Sequence, residues 1–475
     1  MRAGVADWEH ALRTASDKPA WRRQDANLRI VPLGFGTIIL IGTLCLLLPW
    51  AHQPGHSVGL LDAFFLATSA TCVTGLTPVN VGETFNLFGQ GVLVVLIQLG
   101  GLGIFTASLL LIVLAGNRLS LAAEQTIKAT VGRLREARPT DVLLHACAFV
   151  FIAELAGAVA LTPILQQAAR PEETWEPLWH AWFHAVSAFC NAGLSVVPEG
   201  LVRWRHRWEV LAIVNVLVIT GGIGLLTLIN LRYYAFWRRD PRTRGRLTLQ
   251  TRLCLYSSAL LIAFGAAATL IFELGHTLES ASAAERVSWA VFHSVMTRTA
   301  GFNVVDTGAM NPPTLLITLA LMFIGGCPGS MAGGIKTVTF VVLLLTAWSA
   351  LRRREEIQFW GCRLPAKLSY TATMIFLLAL GMLLAGVGLL MLTEAGGPAV
   401  MTPSSWLGIV FEAVSAFGTV GLSMGVTPFL TSAGKLVIVV LMFVGRIGPL
   451  MLAVYLARPA NPWPVKYPRE EVTLG

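Results

Sequence analysis

Four short segments of the sequence share one pattern, in which a serine is followed by small or apolar residues and then by a glycine. The serine lies six residues before the glycine in three copies and seven residues before it in the third copy. Each segment ends in a triplet: Val73-Thr74-Gly75, Asn191-Ala192-Gly193, Thr299-Ala300-Gly301 and Thr419-Val420-Gly421. Glycine reaches backbone angles that a Cβ forbids, and a ring of backbone carbonyls can replace the hydration shell of a potassium ion. The pattern predicts four potassium-coordinating loops.

The apolar stretch before each triplet is short. These stretches are Leu61 to Cys72, Leu178 to Cys190, Trp289 to Arg298 and Trp406 to Gly418. As helices of about ten to thirteen residues they cover roughly half of the hydrocarbon layer, so they are predicted to be re-entrant half-helices. The negative end of each helix dipole then lies near the membrane midplane, where it favours a cation. Such backbone is tolerated in a membrane only when protein or water surrounds it, as around a central pore.

The elements that must hold these loops are transmembrane helices. Hydrophobic residues make up 55% of the chain and charged residues 13%, which excludes an ordinary soluble protein of this length. We predict an all-α integral membrane protein with four fused helix–pore loop–helix repeats around a central pore, made of eight transmembrane helices and four half-helices. The predicted repeats are residues 29–118, 139–238, 250–352 and 367–458. Residues 1–28 and 459–475 are predicted to be cytoplasmic segments.

The distribution of charge orients the chain. Its formal net charge is +9, and most basic residues lie in every second loop and at the two ends, so the positive-inside rule places both termini in the cytoplasm. Arg203, Arg205 and Arg207 break the rule once. Because the basic residues follow topology rather than one face, we expect no nucleic-acid partner. The seven cysteines lack ligand spacing, so we expect neither a metal site nor a disulfide.

Two further features predict a gate beneath the loops. Glycine and proline are concentrated in residues 325–334, here called the intramembrane loop, and would interrupt a helix in mid-membrane. The predicted gate residues are Gly325, Gly326, Pro328, Gly329, Ser330, Gly333, Gly334 and Arg446. Arg446 is a lone charge in an apolar span, expected to face the pore and to pair with carbonyls of this loop. A simple helix kink and a purely structural arginine are the alternatives.

Other polar residues in apolar segments receive structural interpretations. Asp62 and Glu412 are expected to stabilise the N-termini of half-helices through the helix dipole, with ion binding as the alternative. Arg298, just before the third triplet, is expected to brace its half-helix, and Lys336 to extend toward the cytoplasmic surface. The role of Glu154 stays open.

At these residues the chain resembles the superfamily of Trk, Ktr and plant HKT potassium transporters. The four triplets are similar to the filter segments of that superfamily. Gly325-Gly-Cys-Pro-Gly-Ser-Met-Ala-Gly-Gly-Ile-Lys-Thr337 is similar to its intramembrane gating loop, and Phe443-Val-Gly-Arg446-Ile-Gly-Pro449 to its last helix. The first repeat begins close to the start of the sequence, so the likeness is nearest to the membrane subunit of the bacterial Ktr system. The plant sodium-selective branch has serine in place of Gly75, so the resemblance implies potassium selectivity.

The resemblance also implies a set of partners. It implies a homodimer in the bacterial inner membrane, bound to a cytosolic nucleotide-binding regulatory ring, with potassium as substrate and no cofactor. The arginines from Arg238 to Arg252 are candidate docking residues for that ring or for anionic lipid. Sodium coupling is left open. The alternatives are a sodium- or ammonium-permeable pore of the same architecture, or an integral membrane enzyme.

Overall fold

A computed structural model describes residues 20–103, 139–168, 175–237, 247–354, 356–397 and 405–448. Several predictions fall outside these ranges. They concern most of the N-terminal segment 1–28, the tail 459–475, the basic stretches 104–138 and 238–246, and the ends of the predicted first and fourth repeats.

The described chain is mostly helical. Its main helices are α1 Ala20–Leu46, α2 Leu60–Cys72, α3 Leu87–Leu102, α4 Pro139–Gln167, α5 Glu176–Phe189, α6 Trp208–Ile223, α7 Leu225–Trp237, α8 Leu249–Glu273, α9 Ala283–Met296, α10 Pro312–Phe323, α11 Thr337–Leu351, α12 Ala366–Glu394, α13 Ser405–Gly418 and α14 Ser432–Ile447. Short helical turns lie at Pro49–Ala51, Val81–Thr84, Gly200–Trp204, Thr307–Ala309 and Thr427–Phe429.

Three of these helices are long and apolar enough to cross a membrane. They are α4, through Cys147–Gln167, α8 and α12, with mean hydropathies of 2.1, 1.9 and 2.7. Their outer faces carry large apolar side chains such as Leu260 and Leu392, which are 71% and 74% exposed. Apolar faces of this kind are stable against lipid rather than water. The chain is therefore a multi-pass membrane protein.

The half-helices are α2, α5, α9 and α13, and they lie close to the predicted apolar stretches. The third departs most, because α9 begins at Ala283 rather than at Trp289. A capping box starts it there: Ser282 caps the backbone amide of Glu285, and the Glu285 carboxylate accepts from the Ser282 amide at 2.9 Å. The polar first turn carries no apolar signal, so hydropathy placed the start too late.

The apolar run over residues 210–231 is not one continuous helix. α6 ends at Ile223 and α7 begins at Leu225, with Gly224 between them at φ +92°. Gly103 and Gly448 follow α3 and α14 with φ of +78° and +93°. Glycine ends helices in this conformation because it has no Cβ to clash. In three of the four repeats, a single glycine therefore ends or interrupts the helix that follows the half-helix.

The segments pack as a closed cycle. The helix that follows each half-helix contacts the half-helix of the next repeat: α3 contacts α5, α6 contacts α9, and α10 contacts α13. The cycle closes between α14 and α2. Chain order therefore equals spatial order around a central axis, and the ends of the four half-helices face one another.

One small element departs from an all-α fold. Strands β1 Ile357–Phe359 and β2 Cys362–Leu364 form an antiparallel hairpin between α11 and α12. The two turn residues, Trp360 and Gly361, have φ of +48° and +72°, as the favoured two-residue hairpin turn requires. The Trp360 ring lies 4.9 Å from that of Tyr256 on α8. An aromatic contact thus holds a turn that hydropathy does not reveal.

Candidate functional site

The four triplets share one backbone conformation. Their first residues all have positive φ: Val73 57°, Asn191 59°, Thr299 72° and Thr419 50°. Their glycines do too: Gly75 95°, Gly193 67°, Gly301 68° and Gly421 92°. Positive φ is unfavourable for β-branched valine and threonine, and such residues persist only where the surrounding structure holds them. α2 and α13 end at the residue before their triplets, and α5 and α9 end one and two residues earlier, so four similar helix ends set the same geometry.

The triplets meet in a closed ring. Each glycine lies against the carbonyl that precedes the glycine of the next triplet. The contacts are Gly75 with Ala192, Gly193 with Ala300, Gly301 with Val420, and Gly421 with Thr74. A Cβ on Gly75 would lie 2.6 Å from the Ala192 oxygen, and one on Gly193 would lie 2.5 Å from the Ala300 oxygen. The ring therefore has room for glycine only, and it brings the four predicted loops together.

The serine that opens each pattern braces its triplet in two segments. The Gly75 amide donates to Ser69 Oγ at 3.1 Å, and the Gly421 amide donates to Ser415 Oγ at 3.1 Å. Ser187 instead donates to the Leu194 carbonyl at 2.8 Å. The third serine precedes its glycine by one residue more than the others. It turns outward and donates to the Ile262 carbonyl of α8 at 2.8 Å.

A second set of glycines, which the sequence argument missed, seats the half-helices. A Cβ on Gly100, Gly221 or Gly445 would collide with a carbonyl in the last turn of the half-helix of the same segment. The carbonyls belong to Thr71, Phe189 and Phe417, each two residues before a triplet. The available signal was the glycine pair at 100–101 and 221–222, which recurs at one place in two of the repeats, whereas Gly445 has no neighbouring glycine.

The intramembrane loop is held by backbone hydrogen bonds. The Gly325 amide donates to the Ile335 carbonyl at 2.8 Å, which closes the base of the loop. The loop then bonds to the break between α6 and α7: the Cys327 amide donates to Gly222 at 3.0 Å, and the Leu225 amide donates to Gly329 at 3.1 Å. The backbone amides and carbonyls that are freed at the helix break in the third repeat thus bond to those freed at the break in the second repeat. Buried backbone groups require such partners.

The same loop lies directly against the ring. A Cβ on Gly333 would collide with the hydroxyl and Cβ of Thr419, the first residue of the fourth triplet. Gly334 has φ +64°, and a Cβ there would lie 3.5 Å from the Gly418 carbonyl. The loop therefore packs on the side of the ring at which the half-helices end.

Two basic side chains bind this region. Arg446 donates to the Met331 carbonyl in the loop and to the Gly100 carbonyl at the end of α3. It thus joins α14, the loop and α3, and it makes the predicted contact with loop carbonyls. Lys336 donates to the Ala332 carbonyl at 2.6 Å, because the loop bends back within reach of its ammonium group. This bond fits a structural role, and the extension toward the cytoplasmic surface stays a prediction.

The predictions for the other polar residues have different outcomes. Asp62 lies in the first turn of α2, as predicted, and accepts from Lys435 at 2.6 Å. Glu412 lies in the middle of α13, so its predicted role at a helix N-terminus is wrong. Its carboxylate accepts instead from Ser423 and from Thr427. Arg298 donates to the Ser258 carbonyl at 3.3 Å and so ties the end of α9 to α8.

Several hydroxyls at the ring lack a protein partner in the described part of the chain. They belong to Thr74, Thr299 and Thr419, and all are buried. Within the same residues, no group of three or more histidine, cysteine or acidic side chains lies close enough to hold a metal ion. Any cation at this site would meet carbonyl and hydroxyl oxygens rather than carboxylates.

Glu154 lies behind the second triplet. Its carboxylate accepts from Gln98 of α3 at 3.1 Å and from the Cys190 thiol at 3.6 Å. Glu154 is 3% exposed. It therefore joins the first and second segments from outside the ring.

Comparison with known proteins agrees with this arrangement. The family model described as TrkH, cation transport protein, matches residues 17–461. The chain is 33% identical over 458 residues to the potassium/sodium uptake protein NtpJ of Enterococcus hirae, covering 96% of this chain and 98% of that protein. It is 34% identical over 450 residues to the Ktr system potassium uptake protein B of Bacillus subtilis, covering 94% and 96%.

A solved structure shares the fold. The crystal structure of the potassium transporter TrkH from Vibrio parahaemolyticus matches with a TM-score of 0.68 and 20% identity, covering 91% of this chain and 85% of that one. Taken with the family match over residues 17–461, the chain belongs to the TrkH family of cation transport proteins.

Proposed function

We propose that the protein takes up potassium across the cell membrane through a pore whose selectivity filter is the ring of four triplets. The closed cycle of glycine–carbonyl contacts is the observation that carries this proposal. Such a ring surrounds one axis with equivalent backbone oxygens, the arrangement that replaces the water shell of a potassium ion. The related proteins of Enterococcus hirae and Bacillus subtilis are named for potassium or potassium/sodium uptake.

The proposed architecture is four helix–pore loop–helix repeats with eight transmembrane helices and four half-helices. It is supported by the packing cycle and by the shared triplet geometry. The threonine hydroxyls without partners supply further oxygens beside the path. Both termini lie in the cytoplasm in this arrangement, because the basic loops then face inward.

The gate of the pore is the intramembrane loop together with Arg446. The loop touches Thr419 of the filter, and Arg446 places a charge between the loop and α3. An arginine on the ion path raises the barrier to cations until it or the loop moves. We extend the proposal to a homodimer regulated by a cytosolic nucleotide-binding ring, which the Ktr resemblance implies.

Rubidium uptake tests the function. Cells without their own potassium uptake systems should accumulate rubidium and grow at low potassium when they produce this protein. A moderate excess of sodium should inhibit this uptake weakly. Strong competition by sodium or ammonium would favour the alternative pore, and no uptake of any of these ions by membrane-inserted protein would refute the proposal.

A further inference from the structure

A polar pair stands behind the fourth filter loop. Ser423, two residues after Gly421, donates to the carboxylate of Glu412, and Thr427 donates to the other oxygen at 2.9 Å. The Gly425 amide in turn donates to Ser423 Oγ at 2.9 Å. Glu412 is fully buried. Hydroxyl donors reach both carboxylate oxygens, so the group anchors the loop.

The second filter loop has an equivalent pair built from different residues. His184 precedes Ser187 by three residues, as Glu412 precedes Ser415, and Ser195 follows Gly193 by two. The Nδ1 atom of His184 lies 2.7 Å from the His180 carbonyl, which can only accept, so Nδ1 carries the proton. This leaves Nε2, 2.9 Å from Ser195 Oγ, as the acceptor for that hydroxyl.

The first and third loops lack this pair. The half-helix positions equivalent to Glu412 are occupied by Leu66 and Val291. Two residues after Gly75, Thr77 donates within its own loop, to the Val79 carbonyl at 2.8 Å. In the ring each loop touches the next in chain order, so the two braced loops stand opposite each other.

We propose that the pairs Glu412–Ser423 and His184–Ser195 are positioning residues that hold two opposite filter loops open and thereby set the discrimination between potassium and sodium. The proposal rests on the filter assignment above. Sodium is smaller, so close coordination requires the carbonyls to move inward. A braced loop can follow only by breaking its hydrogen bond to the buried side chain of Glu412 or His184, which leaves a desolvated polar atom without that donor.

Uptake by matched variants tests this inference. Ser423→Ala removes one hydroxyl and should lower the ratio of rubidium to sodium uptake about three- to tenfold at unchanged membrane abundance. Glu412→Leu, which introduces the residue type of the first repeat, should lower it at least as much. Glu412→Gln should retain most of the ratio, because its amide oxygen still accepts from Ser423.

Glu394→Gln is the control. Glu394 is also a fully buried carboxylate of the fourth segment, and it accepts from Thr431 Oγ1 at 2.7 Å, at the start of α14. Its replacement should leave the uptake ratio unchanged. A ratio that falls equally in Glu394→Gln and Ser423→Ala would show general loosening of the fold and would overturn the inference.

Gly421→Ser separates this inference from the filter assignment. If Gly421→Ser lowers the ratio while Ser423→Ala retains the wild-type value, the brace is refuted and the filter stands. If neither variant changes the ratio, the filter assignment itself fails. Should Glu412→Leu not reach the membrane, Ser423→Ala decides alone, since it removes a single oxygen from a partly exposed residue.

Discussion

The four copies are alike in the ring of triplets but differ in the parts of the chain directly next to it. In the ring all four copies share positive φ at the first and third residues, and each glycine contacts the next loop. Beside it the copies differ: single glycines, Gly103, Gly224 and Gly448, end or interrupt three of the helices, whereas the third segment opens into the intramembrane loop. An ion that is coordinated from all sides needs equivalent oxygens from all four loops. A single loop, in contrast, is enough to obstruct the path of an ion.

The two regions also differ in how firmly they are held. The ring leaves no space for a side chain at its glycines. The intramembrane loop is tied to the α6–α7 break by a few backbone hydrogen bonds, each contributing roughly 0.5–1.5 kcal/mol net. Such a loop can be displaced at modest cost while the ring keeps its shape.

Gly75→Ser should have the largest effect, because it breaks the ring. The new Cβ would lie 2.6 Å from the Ala192 carbonyl at a φ of +95°. We expect the ratio of rubidium to sodium uptake to fall about tenfold or more. Serine at Gly193, Gly301 or Gly421 should also impair uptake, though not necessarily equally.

Gly91→Ser is the matched control for Gly75→Ser. Gly91 lies on α3 of the same repeat, and a Cβ there would meet no atom of the described part of the chain within 4 Å. It should transport as the wild type does. An unchanged ratio in well-inserted Gly75→Ser would remove the first triplet from the filter.

Removing the intramembrane loop or the charge of Arg446 should increase transport rather than impair it. Deletion within 325–334, or Arg446→Ala, should raise the maximal rate of rubidium flux and weaken its dependence on a regulatory partner. A unit charge at an effective dielectric constant near 20 changes the barrier by about 3 kcal/mol, which is more than tenfold in rate.

Arg446→Lys, which keeps the charge, should stay near the wild-type rate. Surface abundance must be measured beside flux, since Arg446 also joins three parts of the fold. A well-expressed loop deletion with wild-type rate and partner dependence would leave the interruption as packing alone.

Gly224→Ala should have an intermediate effect, because it disturbs only the seat of the loop. A Cβ there would lie 2.8 Å from the Pro328 carbonyl, at φ +92°. We expect a flux increase of about two- to fivefold and a loss of stability of about 1–2 kcal/mol. Gly103→Ala is the control, because Gly103 has φ +78° but, among the described residues, no atom lies within 4 Å of the added Cβ. Equal flux in the two variants would mean that loop docking does not control the rate.

Glu285→Gln should have the smallest effect, since it alters the outer end of α9, away from both regions. The hydrogen bond from His206, at 2.8 Å, and those from Ser282 lower the pKa of Glu285 to about 2. A lowered pKa stabilises the fold above the ordinary carboxyl value, and this contribution disappears as the pH falls toward 2. The His206 side chain is 61% exposed and the Glu285 side chain is 30% exposed, so solvent screens the pair.

We therefore expect wild-type uptake from Glu285→Gln, and a thermal unfolding midpoint within about 2 °C of the wild type near neutral pH. Any difference in the midpoint should shrink on acidification. A marked loss of uptake would show that the outer surface takes part in selection.

The sequence by itself determined the local units. Four glycine triplets, each after an apolar stretch too short to span, predict half-helices, and the observed α2 and α13 lie within a residue of their predicted bounds. The glycines and proline of 325–334 predict an interruption because they weaken a helix wherever they occur. These inferences need only neighbouring residues and the period of the helix.

The tertiary structure decided which groups meet. Glu412 anchors a loop rather than a helix start, Gly224 seats the intramembrane loop, and Arg446 reaches the Gly100 carbonyl across 346 positions of sequence. No local pattern encodes these contacts. They depend on the order in which four similar segments close around one axis, and that order is set by packing between segments rather than within them.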